Sequence, residues 1–322
     1  MYRNLVALAF ACALASCTGG NPLTDDEGVA VGNPLLDEDE VPDETETGNG
    51  DGDDASNVFG SDLNADLTVN EMSFDPATGE LVLNNMPFDG DDNIYTRDDT
   101  ISDAIGSEFD VYRNASGPAS YYAVFRLSDT GYSQVGTAGT ESYVSFGYGG
   151  AAAQRLSGSG ALPNDQQTYV FTGEYAAVRT VIDSEDGSTM QYVAGTATLR
   201  VDTEDFDETG VIGGYIADRS FFDANGVQIT DLDGVGDFIT LKDSDINFDN
   251  WTISSADATV YTDNGTTAGA TGSWDGLFAG PNGEEIAGVV VVEGTGPIGI
   301  DPDTGNYVEV DVRETGGFIA TR

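Results

Sequence analysis

The sequence predicts an all-β protein whose second half closes into a barrel. Three observations carry that reading. From Val58 onward, short runs rich in Val, Ile, Thr, Tyr and Phe alternate apolar and polar residues with period two. Gly, Asn and Asp turns separate these runs, and no segment sustains apolar residues at i, i+3, i+4 and i+7 over three turns. Apolar residues at 39% and aromatics at 10% suffice for a packed core.

The amino terminus reads as an export signal. Arg3 precedes an apolar run from Leu5 to Leu14. The run is far shorter than the ~20 residues a spanning helix needs. The following Leu14-Ala15-Ser16-Cys17 resembles the lipobox of bacterial lipoproteins. That resemblance implies removal of residues 1–16 and lipid attachment, palmitate included, at Cys17. Cys12 leaves with the signal, so the mature chain holds no disulfide and relies on its core. Several acyl chains hold a protein stably on a membrane, at ~0.8 kcal/mol per buried methylene. Thr18 rather than Asp follows the cysteine, which by resemblance to lipoprotein sorting in Gram-negative bacteria implies the outer membrane.

Residues 17–57 read as a lipidated, disordered, acidic tether. Thirteen carboxylates lie between Thr18 and Asn57, with no Lys, Arg or aromatic residue. Such a segment cannot bury enough apolar surface to offset its ordering entropy, and self-repulsion extends it. Asp51-Gly52-Asp53-Asp54 lacks the twelfth-position glutamate of an EF-hand loop.

Strands then follow in order. Glu80–Leu83, Phe109–Arg113, Tyr121–Leu127 and Tyr143–Tyr148 form a first β-rich group. Gly149–Gln167 is rich in Gly, Ala and Ser and reads as a long loop or a boundary between two β units. Thr168–Ile182, with Tyr169, Phe171, Gly173 and Tyr175 on one face, pairs with Met190–Asp202, whose Val193, Gly195, Ala197, Leu199 and Val201 alternate with polar residues. Gly210–Ala217, Asp237–Lys242, Asp245–Ile253, Ala258–Thr262, Gly269–Ala279, Glu285–Glu293 and Tyr307–Ile319 complete the set. In Gly269–Ala279, Gly272 and Gly276 alternate with Trp274 and Phe278. Small beside large suits a tightly curved barrel wall, whereas a flat sandwich carries less glycine inside its strands.

The composition closes several functional classes. Lys+Arg number 11 against 57 Asp+Glu, a formal charge of −46, and histidine is absent. Nucleic acid is excluded as a partner, since phosphate-backbone affinity comes from Lys and Arg. Without histidine there is no Ser-His-Asp or Cys-His machinery and no imidazole metal site. A protein captured by electrostatic steering presents a basic face. No residue is assigned a catalytic, cofactor or metal role, and no cofactor is expected. Asp231-Leu232-Asp233-Gly234-Val235-Gly236-Asp237 and the alternating Asp243, Asp245, Asn247 and Asp249 carry calcium-type oxygens, but they also read as solvated turns. No carboxylate pair stands out as a glycosidase pair. Arg97, Arg113, Arg126, Arg155, Arg179, Arg200 and Arg219 are scattered minority charges expected to pair locally. Tyr121, Tyr122, Tyr132 and Tyr148 are candidates for a binding surface or for the core.

The hairpin Gly272-Ser273-Trp274-Asp275-Gly276-Leu277-Phe278-Ala279-Gly280-Pro281-Asn282-Gly283-Glu284-Glu285-Ile286-Ala287-Gly288 resembles the G-x-F-x-G-P-x-A-x-E-x-G-G hairpin of the transferrin-binding protein B family. The apolar strand Val289–Val292 and the closing Gly317-Phe318-Ile319-Ala320-Thr321-Arg322 extend the likeness over Thr168–Arg322. Gly283 and Ala287 depart from the pattern, and the length suits one lobe, so the comparison is with single-lobe surface lipoproteins. The resemblance implies a β-rich handle-like domain (residues 58–160) and an eight-stranded barrel (residues 161–322), soluble and lipid-tethered. It implies a non-enzymatic protein on the outer-membrane surface of a Gram-negative bacterium. Such a protein binds a protein or nutrient carrier, of the metal- or haem-acquisition type, through loops that one sequence does not place. The alternatives are a structural or protective outer-membrane lipoprotein, an exported enzyme using carboxylates, and a membrane-spanning barrel.

Overall fold

A computed structural model describes residues 57–59, 72–83, 94–115, 120–142, 146–163, 168–183, 187–202, 210–233, 238–262 and 267–322. The signal, Cys17 and all of the acidic tether except residue 57 lie outside the described residues.

The first half builds one antiparallel sheet from β1 (Asn57–Phe59), β2 (Met72–Asp75), β3 (Glu80–Leu83), β4 (Ile94–Arg97), β5 (Asp110–Asn114), β6 (Tyr121–Leu127), β7 (Ser133–Gly139) and β8 (Gly149–Arg155), in the order β1-β8-β7-β6-β5-β4-β3-β2. A short helix, α1 (Asp99–Ile105), lies between β4 and β5. Asp98 caps it by accepting from the Ile101 N–H at 3.1 Å, and Gly106 ends it at φ 65°. Seven residues are too few to show a helical period over three turns, so the sequence pattern does not reveal it.

The second half is a closed eight-stranded antiparallel barrel. Its strands are β9 (Thr168–Asp183), β10 (Gly187–Asp202), β11 (Val211–Asp223), β12 (Phe238–Asn247), β13 (Thr252–Thr262), β14 (Thr267–Ala279), β15 (Glu285–Ile300) and β16 (Tyr307–Thr321). Pairing of β16 with β9, from Asp311↔Ile182 to Thr321↔Thr172, closes it. Closure removes the edge strands an open sheet would expose.

The barrel interior is filled by side chains. Phe171, Tyr175, Phe221, Trp274, Phe278 and Phe318 belong to one buried cluster. The indole N–H of Trp274 donates to the Lys242 carbonyl at 3.0 Å, which satisfies its polar atom. The glycines expected in a curved wall have specific neighbours. A Cβ at Gly316 would fall 2.3 Å from the Tyr175 hydroxyl, and one at Gly288 would fall 2.4 Å from Phe318 Cζ. The rings occupy the space that the missing side chains leave.

A second apolar layer joins sheet to barrel. Val124, Val135, Ala151 and Ala153 meet Leu277, Val289, Ile319 and Val178 on the outer barrel wall. A third layer covers the other sheet face, where Leu81, Leu83 and Tyr95 pack with Tyr112, Tyr121 and Phe125.

Two segments correct the sequence reading. Gly149–Arg155, expected within a loop or boundary, is the strand β8. Its alanines are buried on both faces, Ala151 and Ala153 against the barrel and Ala152 in the distal layer, so no alternation marks it. Asp245–Ile253 is not one strand: β12 runs through Asn247 and β13 begins at Thr252. Of Tyr143–Tyr148, residues 143–145 lie outside the described residues and 146–148 are not extended strand.

Candidate binding cleft and the barrel ion cluster

Where β6 and β7 turn above the carboxyl-terminal end of β16, sheet and barrel leave a cleft of about 480 Å³. The side chains of Glu108, Asp129, Glu174, Glu284, Arg126 and Arg322 border it, with buried Glu285 at its floor. Two of its carboxylates bridge the two halves of the molecule. Glu174 on β9 accepts from the Ser107 hydroxyl and the Glu108 N–H, both at 2.6 Å. Glu285 on β15 accepts from Thr130 and from the Ser133 hydroxyl at 2.8 Å. Glu108 pairs with Arg126. Arg322 donates to the Asn282 carbonyl at 2.9 Å and to the Gly283 carbonyl at 3.2 Å, and lies 4.8 Å over the Tyr169 ring. Burial works against ionisation of Glu284, but hydrogen bonds from the side chain and N–H of Asn282 hold its carboxyl below the usual range. Asp129 is exposed. The cleft is an acid-rimmed recess, held by side-chain bonds from both halves, whose charge complements a cationic group.

Inside the barrel, three charged side chains from separate strands converge. Arg179 on β9, Arg219 on β11 and Glu314 on β16 are all buried. Arg219 pairs directly with Glu314, and the Arg179 Nε lies 3.9 Å from the same carboxylate. Tyr175 donates to Glu314 at 2.7 Å, and Arg179 donates to Gln191 at 2.5 Å and to the Pro297 carbonyl at 3.0 Å. Both guanidinium groups stand near the Phe221 ring, at 5.2 and 5.0 Å. The cavity beside them is about 10 Å³, room for roughly one water.

The structure distributes the other candidates as follows. Arg97 pairs with Asp99 and Asp110, and Arg113 stands 3.5 Å from Asp98. Arg155 donates to three barrel carbonyls. Tyr121 is core, while Tyr122, Tyr132 and Tyr148 are half-buried against apolar layers, so the four do not form an exposed tyrosine surface. Asp233 accepts from Gln228 at 3.0 Å, and Asn247 accepts from the Asp249 N–H at 2.9 Å. Asp237 lies outside the described residues. Among the described residues, no three Cys, Asp or Glu side chains converge as a metal-ligand set.

The Arg179–Arg219–Glu314 cluster escaped sequence reasoning. Arg179 is in phase with inward Tyr175 and Ala177, and Glu314 with Phe318, so charges at inward positions were the available signal. Arg219 was hidden by an irregularity in β11 around Asp218, where φ is 53° and the register with β10 shifts.

No family model matches the chain, and no curated protein matches it. Among solved structures it is similar to a double mutant of transferrin-binding protein B from Haemophilus parasuis Hp5, with 14% identity and TM-score 0.36 over 83% of this chain and 44% of that one. The isotype 1 transferrin-binding protein B of serogroup B Neisseria meningitidis gives 12% identity and TM-score 0.35 over 83% and 43%. A surface lipoprotein gives 15% identity and TM-score 0.32 over 61% and 79%. The chain spans less than half the length of these two transferrin-binding proteins.

Proposed function

We propose that this chain is a lipid-anchored, non-catalytic protein of the outer-membrane surface that binds a protein or nutrient carrier through the periphery of its β-rich lobe. The observation that carries this reading is the position of open space. Among the described residues, side chains clustered around Trp274 and Phe278 fill the barrel interior, whereas the 480 Å³ cleft lies outside it, between two elements clamped by Glu174 and Glu285. A rigid recess at such a joint takes a protruding group of a partner with little reorganisation.

Residues 1–16 as signal and residues 17–57 as tether, with lipid on Cys17, supply the anchor in this reading. The polarity of the barrel supports a lobe outside the bilayer. Its interior is aromatic, and its outer wall exposes Asp218, Lys242, Asp243 and Asp257, the reverse of a spanning barrel's apolar exterior.

Three measurements test the proposal. Radiolabelled palmitate enters the full chain and is lost in Cys17→Ser. Protease added to intact cells releases fragments of residues 57–322; retention of the whole chain until the cells are lysed overturns surface display. Asp129→Lys weakens retention of the chain's basic partner from growth medium or host fluid at least ten-fold, and retention of no basic protein by the intact chain overturns the binding role.

A further inference from the structure

The β15–β16 hairpin is longer than the barrel wall it belongs to. The last barrel pairings are Thr271↔Glu293 on the β14 side and Ile182↔Asp311 on the β9 side. Beyond them, β15 and β16 continue to pair only with each other among the described residues, as far as Ile300↔Tyr307. The root of this ribbon is fixed over the barrel mouth, because the Pro297 carbonyl accepts from Arg179 and Val312 is buried. Its outer part, residues 299–310, has no strand neighbour outside the hairpin among the described residues.

The tip of that ribbon is closed by its own hydrogen bonds. The Asp301 carboxylate accepts from the Asp303 N–H and the Thr304 hydroxyl, both at 2.8 Å. Its carbonyl accepts from the Gly305 N–H at 2.7 Å, and Gly305 takes φ 71° to close the turn. These hydrogen bonds, led by the one from Thr304, hold the Asp301 carboxyl below its usual range.

The surface of the ribbon is unusual for an acidic protein. Of the seven large apolar side chains exposed among the described residues, Ile300, Tyr307 and Val308 stand together on it. Ile300 and Tyr307 are direct cross-strand partners and share a face. Around them lie Asp301, Asp303, Glu309 and Asp311, with no Lys or Arg between Gly294 and Val312. Exposed apolar side chains grouped within an acidic rim mark a contact surface.

We infer that the projecting ribbon is itself a contact element for a protein partner, whose docking surface carries an apolar strip for Ile300 and Tyr307 edged by Lys or Arg. A second copy of the chain does not fit, because it would bring the same four carboxylates face to face on a molecule already at −46. The preformed turn lowers the ordering cost of binding. The inference rests on the protein-binding reading above and adds a second contact to the cleft.

The test uses the full chain and two fluorescent octapeptides, one alternating Lys with Val and Ile, the other alternating Glu with them. The Lys peptide is expected to bind and the Glu peptide not. Ile300→Ala with Tyr307→Ala, and separately Glu309→Lys with Asp311→Lys, are expected to weaken the Lys peptide at least ten-fold. Asp103→Lys with Asp245→Lys, an equal charge change at exposed sites away from the ribbon, is expected to change it less than two-fold, with far-ultraviolet circular dichroism confirming that all variants fold. Equal loss in the control pair reduces the effect to net charge and overturns the ribbon site. Loss with Asp129→Lys but not with the ribbon variants also overturns it, while leaving the cleft reading standing. Absence of Lys-peptide binding to the intact chain overturns both.

Discussion

The Nε–H of Arg155, on the sheet strand β8, donates to the Phe278 carbonyl on the barrel strand β14 at 2.7 Å. The same guanidinium donates through Nη2 to the carbonyls of Asn250 at 2.8 Å and Trp251 at 3.0 Å. One buried side chain therefore satisfies three backbone acceptors at the joint. One of them belongs to Trp251, which is held at φ 56°, a conformation unfavourable for a bulky residue.

Arg155→Met removes all three donations while keeping most of the volume. Hydrogen bonds to charged groups contribute about 1.5–3 kcal/mol each, while the Trp251 carbonyl keeps its bond from the Phe278 N–H at 2.9 Å. Urea unfolding of the full chain should show a loss of at least about 3 kcal/mol. Trp251 is one of two tryptophans, so its emission should shift to the red as the joint loosens. A loss below about 1 kcal/mol would mean that the apolar layer alone holds the halves together.

The buried Arg179–Arg219–Glu314 cluster predicts an asymmetry. Glu314→Gln removes the carboxylate charge that both buried guanidinium groups approach and should cost about 3–5 kcal/mol. Replacing all three, as Arg179→Met, Arg219→Met and Glu314→Leu, removes charge and desolvation penalty together and should leave stability unchanged or raised. Denaturation midpoints of the single and triple variants decide it. A triple variant weaker than Glu314→Gln would show that the cluster is a net stabilising element.

Much of this barrel was legible in the residues and some was not, for physical reasons. Long strands with one aromatic face, such as Thr168–Asp183, announce themselves by period two, and Trp274 and Phe278 lie inside as their alternation with glycine implied. β8 was hidden because a strand buried on both faces need not alternate, and because its small side chains let the sheet approach the barrel. A Cβ at Gly317 would lie 2.2 Å from Val135 Cγ1 on the neighbouring β7. The cleft could not be read at all: Glu108, Glu174 and Glu285 come together only through packing of sheet on barrel. The projecting ribbon was half legible. Its second strand was visible from Tyr307. The expected strand Glu285–Glu293 stops where the ribbon begins, because Gly294, Gly296, Pro297 and Gly299 interrupt the apolar pattern of β15, which continues to Ile300.

Alkaline stability follows from tyrosines of the sheet and of the barrel strand β10. Burial, with Asp110 nearby, pushes the Tyr112 hydroxyl up from 10.0 to about 12. Tyr192 and Tyr122 are raised as well, chiefly by burial. A raised folded-state value means that the stabilisation is complete below pH 10 and is lost as pH rises toward 12, because the unfolded tyrosine releases its proton first. Melting temperature should therefore fall steeply over that window. Tyr112→Phe should flatten the fall without abolishing it. An unchanged slope in that variant would place the alkaline sensitivity on other groups.

Gly288, in the barrel hairpin, lies against the ring of Phe318. At Gly288 the nearest atoms to an added Cβ are Phe318 Cζ at 2.4 Å and, next, the Asp275 carbonyl oxygen and Phe318 Cε1, both at 2.8 Å. Gly288→Ala should thus cost about 1–3 kcal/mol by overpacking. Phe318→Leu withdraws the ring edge and should cost about 1–3 kcal/mol alone through the cavity it leaves. Combined, the two should be less harmful than their sum by at least about 0.5 kcal/mol, since each relieves part of the other's defect. The relief stays incomplete because Asp275 contributes a backbone oxygen that cannot move away. Unfolding free energies for the four members of the cycle provide the measurement. Strict additivity would mean that the ring is not what requires glycine here, leaving the backbone of β14 as the cause.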